Sequence, residues 1–269
     1  MRFLAPARDE VDPAVFARPP LAQWREFAAL LTGAWPELDA LNAWARRRAL
    51  GPRFVAQTRA LLGDGRHYEE RIAAGAIATR QSNWHDLLNA LVWLRFAAIK
   101  TALNARQLAE IARIGRKRRS RAQCALTHFD EAGVIVWLAD AALLAAWDAH
   151  DWHELFWRRR AAWRDGGAGA IVFGHALLEH ALRPRQLLVG KALAVVVRQS
   201  GNVEDAATRA VAAAIRDGTA LNDPQELRPL PLSGIPGWHG DNTVAAFYRS
   251  APCFRPVRPG RRYPPPLQS

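Results

Sequence analysis

Cysteine is nearly missing from this chain, which has only Cys124 and Cys253. They lie far apart and show no metal-ligand spacing, which excludes a disulfide scaffold and a cysteine zinc site and fits a reducing, cytoplasmic setting. Long apolar runs are missing too. The opening MRFLAPARDEVDPAVF lacks the block of about 7 to 15 apolar residues of a signal peptide. The most apolar stretch, Val134 to Trp147, is interrupted by Asp140 and falls short of the roughly 20 residues needed to cross a bilayer. No membrane span is expected. No established catalytic or cofactor signature occurs, so neither an activity nor a cofactor can be read from a motif.

Acidic residues are outnumbered, 25 against 37 basic ones, leaving a net charge of +12. That balance favours anionic partners such as nucleic acid or another polyanion. Arg greatly outnumbers Lys and Ala is abundant, a bias that GC-rich coding produces on its own, so charge alone does not assign a partner. Half of the 269 residues are hydrophobic and 11 are Trp, which calls for a packed interior rather than disorder. A chain of this length buries about three quarters of its unfolded surface. One globular domain is expected over residues 1–256, followed by a basic, Pro-rich, disordered tail over 257–269.

The pattern predicts an α+β fold, predominantly helical, with central helices packed on a small, mostly antiparallel sheet and an irregular C-terminal strap. Leu21, Trp24, Phe27, Leu30 and Leu31 have helical spacing and stop at Gly33, and Pro36 opens a second helix. Tyr68 and Ile72 with Ala76–Thr79 suggest short extended segments. Feeding the helix after them, they would be loosely similar to the strand-strand-helix core of His-metal nucleases, although His67 stands at the wrong end for a general base. Ala125–Phe129 and Val134–Leu138 flank Asp130 to Gly133 and read as a hairpin. Strands are expected after Gly169 and over Lys191–Val197, and helices over 140–149, 152–163 and 204–216. LRPLPLSGIPGWHGDN, rich in Pro and Gly, is the strap.

The organising stretch is Asn83 to Asn104, read as one amphipathic helix with a break near Ala97 to Lys100. Trp84, Leu87, Leu88, Leu91 and Leu94 share a side. The opposite side carries His85, Asp86, Asn89 and Trp93, where a solvated face would hold Lys, Glu and Arg. His85 and Asn89, four apart, point to one spot. Asn83 is a plausible N-cap, and Asp86 suits the first turn of a helix. A second polar focus is His175 with Glu179, also four apart. Asp130 and Glu131 fit either a turn or metal and acid/base chemistry. RIGRKRRSR, holding Arg116, Lys117, Arg118, Arg119 and Arg121, is the densest positive patch and a candidate for phosphate contacts.

Taken together, GAIATRQSNWHDLLNALVWLRFAAIKTALN, LTHFDEAG, ELFW, FGHALLE, PLPLSGIPGW and the later FY and FRP resemble the bacterial family called domain of unknown function 3025, over roughly Arg53 to Pro256. The resemblance implies motif residues Asn83, His85, Asp86, Asn89, Trp93, Lys100, Asn104, Asp130, Glu131, His175 and Glu179, and no activity. It brings Lys100 and Asn104 to the pocket candidates Asn83, Asn89 and Trp93. This chain has Ala78 and Ala97 where the family pattern has Pro, and Thr243, Val244, Arg249 and Ser250 where it is acidic.

Two functions are compatible with these residues. One is a noncatalytic binding or scaffold role with an anionic partner. The other is a metal-assisted hydrolase, with His85, Asp86 and His175 or Asp130 as ligands and Glu179 or Glu131 as general base. The second requires His85, His175 and a carboxylate to converge within about 5 Å of a common point in a concave pocket.

Overall fold

A computed structural model describes residues 3–197 and 201–269. The protein is α+β and predominantly helical, with a sheet of two strands and a sheet of five. A 3-10 segment, Leu21–Phe27, continues into α1 (Ala28–Leu31), and the chain turns at Gly33, where φ is 70°. α2 (Leu38–Arg47) buries Leu41 and Ala45. Its Asn42 ties it to β1 (Arg53–Ala56), donating to the Phe54 carbonyl and accepting from the Phe54 amide, both at 2.9 Å.

α3 (Arg59–Leu62) and α4 (Tyr68–Ala73) separate β1 from β2 (Ala76–Thr79), and the two strands pair in parallel. Tyr68 to Ile72 is thus helical, not extended. His67 and Glu70 close a reciprocal cap at its start, with Glu70 accepting from the His67 amide at 2.8 Å. With no hairpin, the nuclease-like arrangement does not occur, and His67 serves as a helix cap.

α5 (Trp84–Arg95) is the buried axis of the molecule. Asn83 Oδ1 caps it from the Asp86 amide at 3.1 Å, and every residue from Asp86 to Leu94 is buried. A helix surrounded on all sides leaves no solvated face, which explains the missing Lys and Glu. At Phe96 the backbone leaves helical geometry (φ −121°, ψ 44°), and α6 (Ala97–Ile114) resumes at once and ends at Gly115. The stretch Asn83 to Asn104 is therefore two helices with a kink at Phe96, not one.

α7 (Arg121–Ala132) replaces the first arm of the expected hairpin. Ser120 Oγ accepts from the Gln123 amide and Gln123 Oε1 from the Ser120 amide, each at 3.0 Å, a capping box that starts a helix. Gly133 is not a positive-φ turn residue, since its φ is −66°. It is needed because an added Cβ would lie 2.2 Å from the Phe129 carbonyl oxygen.

β3 (Gly133–Leu138) follows, then α8 (Ala141–Asp148), a π-helical turn over His153–Arg158, and α9 (Arg160–Arg164). β4 (Ala168–Val172) runs antiparallel beside β3 and leads into α10 (His175–His180). β5 (Val189–Val196) lies parallel on the other side of β3, and α11 (Val203–Arg216) packs on α6 and on the sheet. β6 (Arg228–Pro231) is antiparallel to β5. The sheet order is β4-β3-β5-β6, mixed rather than mostly antiparallel, because the helical connection from β4 to β5 reverses the chain.

The strap after β6 is irregular, as expected, and is pinned by buried Asn242, which donates to the carbonyls of Ser233 (2.9 Å) and Ile235 (2.7 Å). α12 (Phe247–Ser250) places the Tyr248 hydroxyl 3.0 Å from the Asn242 carbonyl. The last residues, expected to be disordered, carry order: β7 (Leu267–Gln268) pairs in parallel with β5, and buried Arg228 donates to the Pro264 carbonyl at 2.6 Å. No helix among the described residues is long and apolar enough to cross a membrane.

Candidate metal centre

Two glycines bring the site together. The amides of Phe173 and Gly174 both donate to the Gly133 carbonyl at 2.9 Å, so the end of β4 crosses the start of β3. An added Cβ on Gly174 would lie 2.4 Å from the Gly133 nitrogen and 2.5 Å from the Ala132 backbone, a gap only glycine fits. His175 directly follows that crossing and Glu131 directly precedes it. α10 also packs against α5, which carries His85.

His85, Glu131 and His175 consequently meet, although they come from three helices. The Nε2 atoms of His85 and His175 are 3.0 Å apart, and Glu131 Oε2 is 4.0 Å from the first and 3.6 Å from the second. From these three separations, a point equidistant from all three atoms lies about 2.1 Å from each, the length of an ordinary bond from nitrogen or oxygen to a first-row divalent ion. Glu179 stands behind His85, with Oε2 3.1 Å from Nδ1. That carboxylate fixes the ring's orientation, with Nε2 directed at His175. His175 Nδ1 is sealed from solvent without a hydrogen bond of standard geometry, and the Asp130 backbone acts on it as a weak acceptor.

The charges around this triad are biased in a consistent way. Burial pushes the His175 imidazole down to about 3, partly opposed by Asp130, so the ring is neutral and able to donate a lone pair. The hydrogen bond to Glu179 raises His85 against the effect of burial. Burial raises the Glu131 carboxyl, and Asp130 and Glu179 add to the effect while His85 opposes it. For Asp130 burial acts upward, but the Lys100 ammonium outweighs it and holds the carboxyl low.

Lys100 is 4% exposed. Its Nζ donates to Asp130 Oδ1 at 2.6 Å and to Asn89 Oδ1 at 2.9 Å, and it lies 5.3 Å from the Trp93 ring centre. Asn89 passes the network on to the Tyr68 hydroxyl at 3.2 Å. Asn104 donates to Glu69 Oε2 at 2.6 Å. All of these residues line one cavity of about 440 Å³ with the triad, a size suited to a small molecule. A larger groove of about 1600 Å³ lies on the other side of His85 and Glu179, and Asn83 faces it while capping α5.

The candidates divide by their partners. Asp86 is engaged by Arg80, accepting from its amide at 2.6 Å and from its guanidinium at 2.7 and 3.1 Å. Arg116 is held by Glu70 at 2.8 Å and Arg121 by Asp223. Arg119 donates to Thr127 Oγ1 at 2.9 Å, and Arg118 lines the cavity with no ion pair among the described residues. Lys117 is exposed beside it. Glu69, Arg80, Gln107 and Gln123, also at the cavity, are not singled out by the sequence, where Tyr68 figures only as part of an extended segment. The signals available were the capping boxes at His67–Glu70 and Ser120–Gln123.

Residues 52–258 match the family described as "Protein of unknown function (DUF3025)". The chain belongs to this family. No curated protein and no solved structure matches it. Every residue of the triad and its surrounding network lies inside the family region, whereas the N-terminal helices and the end of the tail lie outside it.

Proposed function

We propose that His85, His175 and Glu131 hold a divalent metal ion and that the protein is a metal-assisted hydrolase acting on a small molecule in the 440 Å³ cavity. The observation that carries the reading is the pair of Nε2 atoms 3.0 Å apart with Glu179 on the far side of His85. Without a cation, one of the two facing nitrogens must carry a proton. If a neutral His85 gives its Nδ1 proton to Glu179, His175 must donate from Nε2, which leaves its buried Nδ1 with an unused lone pair. The other arrangement, an imidazolium at His85 donating to both Glu179 and His175, itself puts a positive charge at this point. A cation here would be held by the two Nε2 atoms, leaving the Nδ1 proton of His85 for Glu179 and that of His175 facing the Asp130 backbone. All four nitrogens are then used.

Two imidazoles and one carboxylate suit Zn²⁺ and other first-row divalent ions and leave coordination positions for water and substrate. An ion held by His85, His175 and Glu131 would supply Lewis-acid activation of water for hydrolysis, with water providing both the nucleophile and the leaving group's proton. Hydrolysis needs no co-reactant beyond water. Asp130, locked to Lys100, and Glu179, locked to His85, set the field around the ion. Asp86 is left out of the ligand set because Arg80 occupies both of its oxygens.

The test is metal analysis of protein purified without a metal-affinity tag, followed by titration of stripped protein with Zn²⁺, Mn²⁺, Co²⁺ and Ni²⁺. Binding of about one ion per chain is expected, abolished by His85→Gln and by His175→Gln in variants that keep the circular dichroism of the parent. A folded parent that takes up no divalent ion, or histidine variants that bind as the parent does, would overturn the reading.

A further inference from the structure

The cavity has a second end, built by α6, α7 and the loop between them, that the triad does not use. Asn104 and Gln107 on α6 and Gln123 on α7 line it, with exposures of 9%, 9% and 5%. Each spends only part of its amide on the protein. Asn104 Nδ2 donates to Glu69, Gln107 Nε2 to Thr127 Oγ1 at 3.2 Å, and Gln123 Oε1 accepts from the Ser120 amide. The remaining Asn104 Oδ1, Gln107 Oε1 and Gln123 Nε2 make no hydrogen bond among the described residues. These free atoms open onto the cavity, where a ligand's hydroxyl groups can take the place of water. Glu69, raised by burial, adds an acceptor on the same wall.

Beside these amides stand the two arginines of the basic loop that no carboxylate occupies. Arg118 has no side-chain partner among the described residues, and Arg119 has only Thr127 Oγ1, whereas Arg116 and Arg121 on either side are paired with Glu70 and Asp223. Both unpaired guanidinium groups line the cavity. A planar fork of donors next to uncharged hydrogen-bonding groups is the chemistry that recognises a phosphate attached to a hydroxyl-bearing body.

We infer that this end of the cavity is a binding subsite for a small phosphorylated, polyhydroxy compound, with the phosphate on Arg118 and Arg119 and the hydroxyl groups on Asn104, Gln107 and Gln123. It deepens the hydrolase reading by naming its substrate class, and the binding itself does not depend on the metal. By sequence the same loop is also a candidate contact for polyanions. The cavity's volume of about 440 Å³ and the amides along its wall favour a small molecule over a nucleic-acid strand.

The experiment is isothermal titration calorimetry on the full chain stripped of metal by chelator, using ribose 5-phosphate, with ribose, inorganic phosphate and a short single-stranded oligonucleotide as comparison probes. Ribose 5-phosphate is expected to bind saturably and more tightly than ribose or phosphate alone. Arg118→Gln/Arg119→Gln is expected to weaken it at least tenfold, as is Gln107→Leu, with unchanged melting temperature. Absence of saturable binding overturns the subsite, as does an arginine variant that binds equally well. Oligonucleotide binding that is lost in the arginine variant while ribose 5-phosphate does not bind would assign the loop to nucleic acid and overturn it too. Because metal is absent throughout, failure here is distinct from failure of the metal centre, which the metal titration reads.

Discussion

The Lys100–Asp130 pair offers the most demanding test of how the site is built. Lys100 is 4% exposed, and Asp130, 2.6 Å away, has 28% of its side chain accessible through the cavity. Lys100→Met keeps the length and apolar stem of the side chain but leaves Asp130 charged, beside Glu131 and without its cation. Removing one partner of a buried ion pair costs about 3 to 5 kcal/mol. The opening of Asp130 to the cavity puts the expected loss at the lower end, about 3 kcal/mol, a large share of a typical stability of about 5 to 15 kcal/mol. Asn89 also loses its donor. Asp130→Asn in the same chain removes the stranded charge, so the double variant should recover most of the loss. Urea denaturation followed by tryptophan fluorescence, on parent, both single variants and the double, gives the coupling energy directly. A Lys100→Met loss below about 1 kcal/mol, or a double variant no more stable than Lys100→Met, would refute the argument that this pair is a closed electrostatic unit.

Further outcomes follow from the same contacts. Gly174→Ala should destabilise by about 3 kcal/mol or more, because its Cβ meets immovable backbone, and it should also lower metal uptake by prising β4 from β3; denaturation and metal analysis read the two effects. Glu179→Gln retains size but weakens the acceptor on His85, so metal affinity should fall about 10- to 100-fold in competition with a chromophoric chelator, without loss of fold. Asp223 is held at about 2 by its hydrogen bonds from Arg121 and the Gln225 amide, below its unfolded value of 3.8. Its contribution is complete above the unfolded value and disappears as pH falls through 2. Asp223→Asn should therefore flatten the acid limb of stability between those values, measured by circular dichroism against pH.

The legible parts of the sequence were those in which local chemistry agrees with the tertiary environment. Asn83 caps α5 as its side chain suggests, Val134–Leu138 and Glu204–Arg216 adopt the periodicity they display, and a second helix follows Pro36. Asp130 and Glu131 were misleading. Next to Gly133 they resemble a turn, yet the Ser120–Gln123 box commits the preceding residues to a helix and the glycine is there for close packing. Tyr68 was misleading for the same reason, since the cap that makes its segment helical is formed by His67 and Glu70. Convergence of His85, Glu131 and His175 was not readable from spacing. It depends on β4 crossing the start of β3, a pairing between residues about forty apart that only the assembled sheet specifies.

A purely architectural role for the two histidines makes its own prediction, and it is opposite to that of a metal centre. In protein without metal, His175 is a buried neutral ring whose Nδ1 lacks a hydrogen bond of standard geometry. Leaving such an atom unsatisfied costs about 1 to 3 kcal/mol, so His175→Leu, similar in volume, should be neutral or stabilising in the presence of chelator. Parent and variant then separate when Zn²⁺ is supplied. At about 100 times its Kd, an ion bound only by the folded state adds about 2.7 kcal/mol. For a chain of this size that raises Tm by about 5 to 10 °C. The parent should show the rise and His175→Leu should not. An equal rise in both would place the bound ion elsewhere and remove the chemical reason for two imidazoles to face each other inside the core. A destabilising His175→Leu in chelator would instead mean that the ring itself, through its contact with His85, holds α10 against α5.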